Sequence, residues 1–344
     1  MRIGTDTSKF PGASEHGAHW TLDKIHSLGL DGAFFRSLFA LSPTLDPGEI
    51  FEISAHAASL GLYLEVGTAK VNPFATPEAP EIRALGDGDY LLGLEKIIRA
   101  CAAAGITELW TATANYQFKI KGLYACDRFR TDVWWADQLA ATAKVLAKLG
   151  PLLRDLGCHL NIETHEEITS FEVVRLVEEA GPDAFGITFD TANVLVRGED
   201  PIAAAHRVAP YTRQSHVRDV ALAFTDDGIG RFLAPCGQGV IDWPALLAPL
   251  LEHAPDATLS IEGIVRSRAE MPLFVDDPVW QAAHPDLTVT ELAEVYRLTR
   301  SYADRAHLDL LRRPTGADEE LAFITDSVAH LRTVLKELTC PTPS

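Results

Sequence analysis

Basic charge is scarce in this chain: 30 lysines and arginines face 48 aspartates and glutamates, for a net charge of −18. A protein that works by neutralising backbone phosphates carries a basic face, so nucleic acid is not expected as the main partner. Long apolar runs are missing too, and none reaches the roughly 20 residues a spanning helix needs, so no membrane partner is expected. No apolar leader follows Met1; Arg2-Ile3-Gly4-Thr5-Asp6 runs straight into a strand pattern, and a cytoplasmic location is expected. Cysteine is sparse. The five, at 101, 126, 158, 236 and 340, lack paired zinc spacing and fit reduced thiols, with Cys101 and Cys158 filling core. Apolar residues are plentiful: 47% hydrophobic against 23% charged supports a substantial core and argues against disorder.

Read in order, strand patterns alternate with helical ones. Strands are expected at 2–6, 31–37, 62–67, 108–113, 158–163, 185–190, 211–216 and 258–262. Between them fall helical stretches such as Pro47–Leu60, closed by Gly61, and 133–156. Thr7 to Gly17 reads as loop, as does the long stretch Asn115 to Thr131. Strands alternating with helices imply parallel pairing, and eight such units in 344 residues favour a closed (β/α)8 TIM barrel over an open sheet. One domain over 1–344 is expected, in which 266–344 adds an inserted loop, Met271 to Pro285, and C-terminal helices near Thr290–Leu311 and Glu319–Leu338.

In such a barrel the strand C-termini form the reactive face. Four successive strands end in Glu163, Asp190, His216 and Glu262. Three carboxylates converging at low dielectric repel one another, and a divalent cation resolves the conflict. Oxygen ligands with one nitrogen suit Mn²⁺, Mg²⁺ or Co²⁺. Strand alternation sends His165 to the same side as Glu163, where its imidazole could move a proton or support a ligand. Gly237-Gln238-Gly239 lies between strands seven and eight, before a helix from Asp242. Its glycines suit a loop needing positive φ. Asp219 could orient a neighbour or bridge to Arg218, and Arg218 could hold a substrate oxygen or be an ordinary loop cation.

The motifs Leu160-Asn161-Ile162-Glu163-Thr164-His165, Thr188-Phe189-Asp190-Thr191-Ala192-Asn193, Ser215-His216-Val217-Arg218-Asp219, Gly237-Gln238-Gly239-Val240-Ile241-Asp242-Trp243 and Ile261-Glu262-Gly263 occur in that order. With them the chain resembles the sugar phosphate isomerase/epimerase superfamily, with its xylose isomerase-like barrel. The resemblance implies that Glu163, Asp190, His216 and Glu262 ligate one divalent metal, commonly manganese. It also implies a carbohydrate substrate taken through an enolate, with Glu163, Glu262 and His165 as candidate catalytic groups. Isomerisation or epimerisation is the superfamily default. Ketose 3-epimerases of this superfamily tend to carry histidine three residues after the metal aspartate, where this chain has Asn193. Strands two and three offer Arg36, Ser37 and Glu65, not the extra histidines of the trinuclear zinc endonucleases of this fold.

A second resemblance, to the metal-binding subunit of C-glycoside-deglycosylating enzymes, rests on the Glu-x-His strand end. There the same enolisation of a 3-oxo-glycoside becomes β-elimination, a lyase reaction. Tyr116, Tyr124, Trp134 and Trp135 could wall an aglycone or pack the long loop. Arg218, Asn193, Trp134 and Tyr116 are thus the candidate substrate contacts. An inert binding or assembly subunit is the alternative outside enzymology, and a homo-oligomer or a complex with a small subunit is the expected association.

Overall fold

The computed structural model describes residues 1–75, 79–130 and 132–339, so Pro77, Thr131 and Cys340 lie outside the described residues. Its centre is a closed barrel of eight parallel strands. They are β1 (Ile3–Asp6), β2 (Gly32–Phe35), β3 (Tyr63–Gly67), β4 (Glu108–Thr111), β5 (His159–Glu163), β6 (Phe185–Asp190), β7 (Thr212–Val217) and β10 (Leu259–Ile261). The three other strands, β8 (Asp219–Thr225), β9 (Gly228–Ala234) and β11 (Met271–Leu273), form a separate antiparallel sheet with β9 in the middle. The cylinder closes where β10 pairs with both β1 and β7.

Local chemistry sets the alternation. Asp46, Asp89 and Asp200 each accept backbone N–H bonds at a helix start, and proline follows directly at Pro47 and Pro201. Thr169 and Glu172 form a reciprocal capping box at the helix Ser170–Ala180. The 22-residue helix Trp135–Leu156 stops at Gly157, whose φ of 63° lets the chain turn into β5. Each strand then buries its side chains, with Leu160, Ile162, Ile187 and Phe189 fully enclosed against the helix layer. C-terminal helices Val289–Tyr302 and Ala317–Thr339 pack on the same core through Val295, Phe323, Ile324 and Leu331. Among the described residues no helix is long and apolar enough to cross a membrane.

Two differences from expectation have local causes. A helix, Ala13–Ser27, begins inside the stretch expected as loop, and Gly17 at φ 78° breaks its first turn from the rest. The run after His216, to which no element is assigned from sequence, forms a β-hairpin. Its turn, Asp226-Asp227-Gly228, places Gly228 at φ 105°, the conformation a tight hairpin asks of glycine. One face of the hairpin, with Val220, Leu222, Ile229 and Leu233, joins the main core. The other face puts Ala221, Ala223 and Phe232 against Tyr302. The hairpin is therefore clamped between barrel and tail.

Candidate metal centre

Glu163 ends β5, Asp190 ends β6, His216 lies next to the end of β7, and Glu262 follows β10. One ligand atom from each falls within 4.8 Å of the others, and all four side chains are buried. His216 Nδ1 is 3.1 Å from Glu163 Oε1 and 3.7 Å from Glu262 Oε2. The floor is aromatic: Phe34 packs at 4.6 Å on the His216 ring, and Trp110 packs on Phe34 at 5.6 Å. Trp110 Nε1 donates to Glu163 Oε2 at 2.8 Å, which fixes the carboxylate plane.

The electrostatics show a crowded anionic centre. Burial pushes Asp190 up to about 6; Arg218 opposes the rise, while Glu163 and Glu262 add to it. Burial also works against Glu262, but Arg218, Arg36 and His216 outweigh it and hold it far below the usual carboxylate range. Glu163 is likewise lowered against its burial, by His216 and His165. Arg218 Nη2 lies 2.5 Å from Asp190 Oδ2 and 3.0 Å from Glu262 Oε2, and it donates to Asn193 Oδ1 at 3.2 Å. Arg36 spans Asp6 and Glu262. Asp190 Oδ1 accepts from the backbone of Ala192 and Asn193, both at 2.8 Å.

The residues fit a divalent cation. Three carboxylate oxygens and one imidazole nitrogen make a hard donor set suited to manganese, magnesium or cobalt. Glu262 Oε2 is buried and accepts no well-aligned hydrogen bond. Its charge is met by Arg218 at 3.0 Å and approached by His216 at 3.7 Å, and a carboxylate oxygen keeps lone pairs that a cation can use.

His165 sits beside this group. Its Nδ1 is held between Glu167 Oε2 at 2.6 Å and Glu166 Oε2 at 2.7 Å, and its Nε2 lies 4.0 Å from Glu163 Oε2. Burial disfavours the charged ring, yet Glu166 and Glu167 outweigh it and raise its pKa well above the usual histidine value. Thr113 and the Ala114 N–H, each at 2.6 Å, anchor the other Glu167 oxygen.

The structure gathers Glu163, His165, Asp190, Asn193, His216, Arg218 and Glu262 at one mouth. Tyr116 stands half-buried beside it, paired in a bridge with Cys126. Trp134 stays apart: it precedes the long helix and is 82% exposed. Asp219 does not pair with Arg218. It gathers the N–H groups of Val220, Gly237 and Ile241 and the Trp243 indole at 2.8 to 3.0 Å. Gly237 takes φ 84°. Gly239 serves close approach instead, since a Cβ there would fall 2.1 Å from Asp219 Oδ1. Trp110, Glu166 and Glu167 join this site without being singled out in the sequence. The signal for the glutamates was their place directly after the strand end; nothing local marked Trp110.

Fold and site define an α/β barrel with a buried candidate metal site at the carboxyl ends of its strands. The chain belongs to the xylose isomerase-like TIM barrel family, whose pattern matches residues 22–292. It is 27% identical over 212 residues to the uncharacterized protein YihM of Escherichia coli (strain K12), covering 60% of this chain and 62% of that one. It is 26% identical over 141 residues to an inosose dehydratase of Lacticaseibacillus casei, covering 37% of this chain and 47% of that one. The chain thus spans less than two thirds of the length of these curated relatives. In three dimensions it is similar to D-psicose 3-epimerase from Clostridium cellulolyticum H10 at a TM-score of 0.63 and 15% identity, covering 97% of this chain and 99% of that one.

Proposed function

We propose that this protein is a divalent-metal-dependent enzyme that removes a proton from the carbon beside the carbonyl of a keto sugar or sugar derivative. The observation that carries this reading is the convergence of four ligand atoms within 4.8 Å, next to an imidazole gripped by two carboxylates. A bound divalent cation supplies positive charge that acidifies that C–H bond and stabilises the resulting enolate. The chain's own residues do the rest. Trp110 and His216 hold Glu163 in one orientation, so its carboxylate is set to accept a proton. His165, held protonated by Glu166 and Glu167 with its Nε2 4.0 Å from Glu163, can donate a proton to another face of the substrate. Arg218 has a buried Nε without a partner, as does Asn193 at Nδ2, and these donors are free for substrate oxygens. The enclosed site keeps bulk water from quenching the carbanion.

Proton removal and return gives isomerisation or epimerisation, the reading consistent with the fold shared with D-psicose 3-epimerase. A second reading is elimination, in which a hydroxyl or an aglycone leaves with its bonding electrons. His165 favours it, because an imidazole kept protonated by Glu166 and Glu167 can deliver a proton to a leaving group. The L. casei relative is an inosose dehydratase. We place 3-oxo-glycosides in this second class.

The test is solvent deuterium incorporation, followed by NMR, with the Mn²⁺-loaded protein. Exchange into a free ketose without net loss of substrate supports epimerisation. Release of water or of a chromophoric aglycone supports elimination. Failure to bind any of the three metals stoichiometrically would leave an inert scaffold.

A further inference from the structure

We propose that Arg231 forms an anion subsite over the candidate metal centre, and that the substrate is an acidic keto sugar carrying a carboxylate or a phosphate. The inference rests on the enolisation reading for where the substrate lies. Arg231 is the central residue of the middle strand of the antiparallel sheet, paired with Leu222 on one side and Met271 on the other. Strand alternation puts it on the face of Ile229 and Leu233, which joins the barrel core. A guanidinium is therefore aimed inward from the sheet that follows the metal-ligand strand β7.

Its surroundings do not account for its charge. Arg231 is fully buried. Among the described residues its side chain makes only a long hydrogen bond, 3.4 Å, to the Ala269 carbonyl and one to the Met271 sulfur. Nε has no partner. Among the described residues no carboxylate lies within 4.0 Å of it, unlike Arg36, Arg128, Arg207 and Arg218, which are all ion-paired. A buried, unpaired guanidinium is strongly unfavourable, because the desolvation cost is not repaid. Burial and the neighbouring Arg218 bring its pKa down to about 10, and the attraction of Glu166, Asp190 and Glu262 only partly offsets them. The hairpin that carries it starts at Asp219, three residues past His216, so it follows the carboxyl end of β7, the end that holds the candidate metal centre.

The remaining groups complete a subsite. Tyr116 stands within electrostatic reach of both Arg231 and Arg197. Arg197 is also buried with an unpartnered Nε. Glu166 Oε2 is engaged by His165 Nδ1 at 2.7 Å. A guanidinium offers a planar donor fork matched to carboxylate or phosphate oxygens, and Tyr116 offers a hydroxyl. A neutral sugar would leave the Arg231 charge unmatched.

The experiment is a titration of the full-length protein, with and without Mn²⁺, using D-glucuronate, D-glucose 6-phosphate and D-glucose. Both arms are needed because a carboxylate can also meet the cation directly. At least one anionic probe should bind about tenfold to a hundredfold tighter than glucose, the range expected of charge-assisted hydrogen bonds. Which probe gains identifies the oxyanion. Arg231→Met should erase the preference while leaving Mn²⁺-induced thermal stabilisation intact. Equal binding of all three probes by the wild type, or a preference that survives Arg231→Met, overturns the proposal. Should that variant fail to fold, Arg231→Lys decides: loss of the fork should cut the preference at least threefold, and an unchanged preference overturns it. Loss of deuterium exchange with the anion preference intact refutes enolisation alone. Exchange on neutral ketoses with no anion preference refutes this inference alone.

Discussion

Replacing Asp190 by asparagine should stabilise the metal-free protein and abolish its response to metal. In the metal-free protein the Asp190 carboxyl is held at about 6, against about 3.9 unfolded. Below pH ~4 both states keep the proton and nothing is lost. Between pH ~4 and ~6 the unfolded chain has released it and the folded chain has not, so stability falls by up to ~1.4 kcal/mol per pH unit. Above that window the penalty levels at roughly 3 kcal/mol. The substituted amide would keep an oxygen to accept from the Ala192 and Asn193 N–H groups. It would give up the Arg218 ion pair, which also engages Glu262. The net gain at pH 7 should be about 1–2 kcal/mol. At ~2.1 cal/mol/K of unfolding entropy per residue, a chain this long shifts its Tm by only about 1.4 °C per kcal/mol. Asp190→Asn should therefore melt about 1–3 °C higher without metal at pH 7, with no advantage at pH 4. Manganese at a thousand times its Kd should raise the wild-type Tm by about 6 °C and the variant's far less. Differential scanning fluorimetry across pH 4–8, with and without Mn²⁺, reads both effects. A variant that melts lower without metal and still gains the full manganese shift would refute the view that these carboxylates are crowded in readiness for a cation.

Three further outcomes are expected. His165→Ala should retain stoichiometric Mn²⁺ by atomic absorption but lose about 10²–10⁴-fold in turnover; full turnover per bound ion would reduce His165 to a support. Trp110→Phe keeps the aromatic floor but removes the 2.8 Å bond to Glu163, so kcat should fall about tenfold with metal binding nearly unchanged, measured by steady-state kinetics and metal titration. Gly239→Ala would press a Cβ to 2.1 Å from Asp219 Oδ1 and 2.3 Å from the Val220 carbonyl, and chemical denaturation should show about 1–3 kcal/mol lost.

The barrel was legible because its signals are local and repeated. Asp46-Pro47, Asp200-Pro201 and the Thr169/Glu172 capping box start helices by hydrogen bonds made within a few residues. Strand ends carrying charge, such as Glu163 and Asp190, stand out against apolar runs. The antiparallel sheet was missed although Asp227-Gly228 lies between two alternating runs, because its third strand arrives about forty residues later. Arg231 escaped for a related reason. Whether an arginine is paired depends on which carboxylates the fold brings near it, and sequence spacing says nothing of that. Trp134 drew attention as a large aromatic, but its place just ahead of the long helix left it facing solvent.

Barrel closure also bears on how the protein is made. Thr5 Oγ1 meets the Ile261 carbonyl across 256 positions of chain, and Glu262 is the next residue along. A nascent chain emerging from the ribosome would hold three quarters of its donor set well before the seam is sewn. Contacts of such long sequence separation form late and slowly. Ion capture would then act as a clock for the last step of folding: manganese added during refolding should be sequestered only as the first and last staves of the cylinder join.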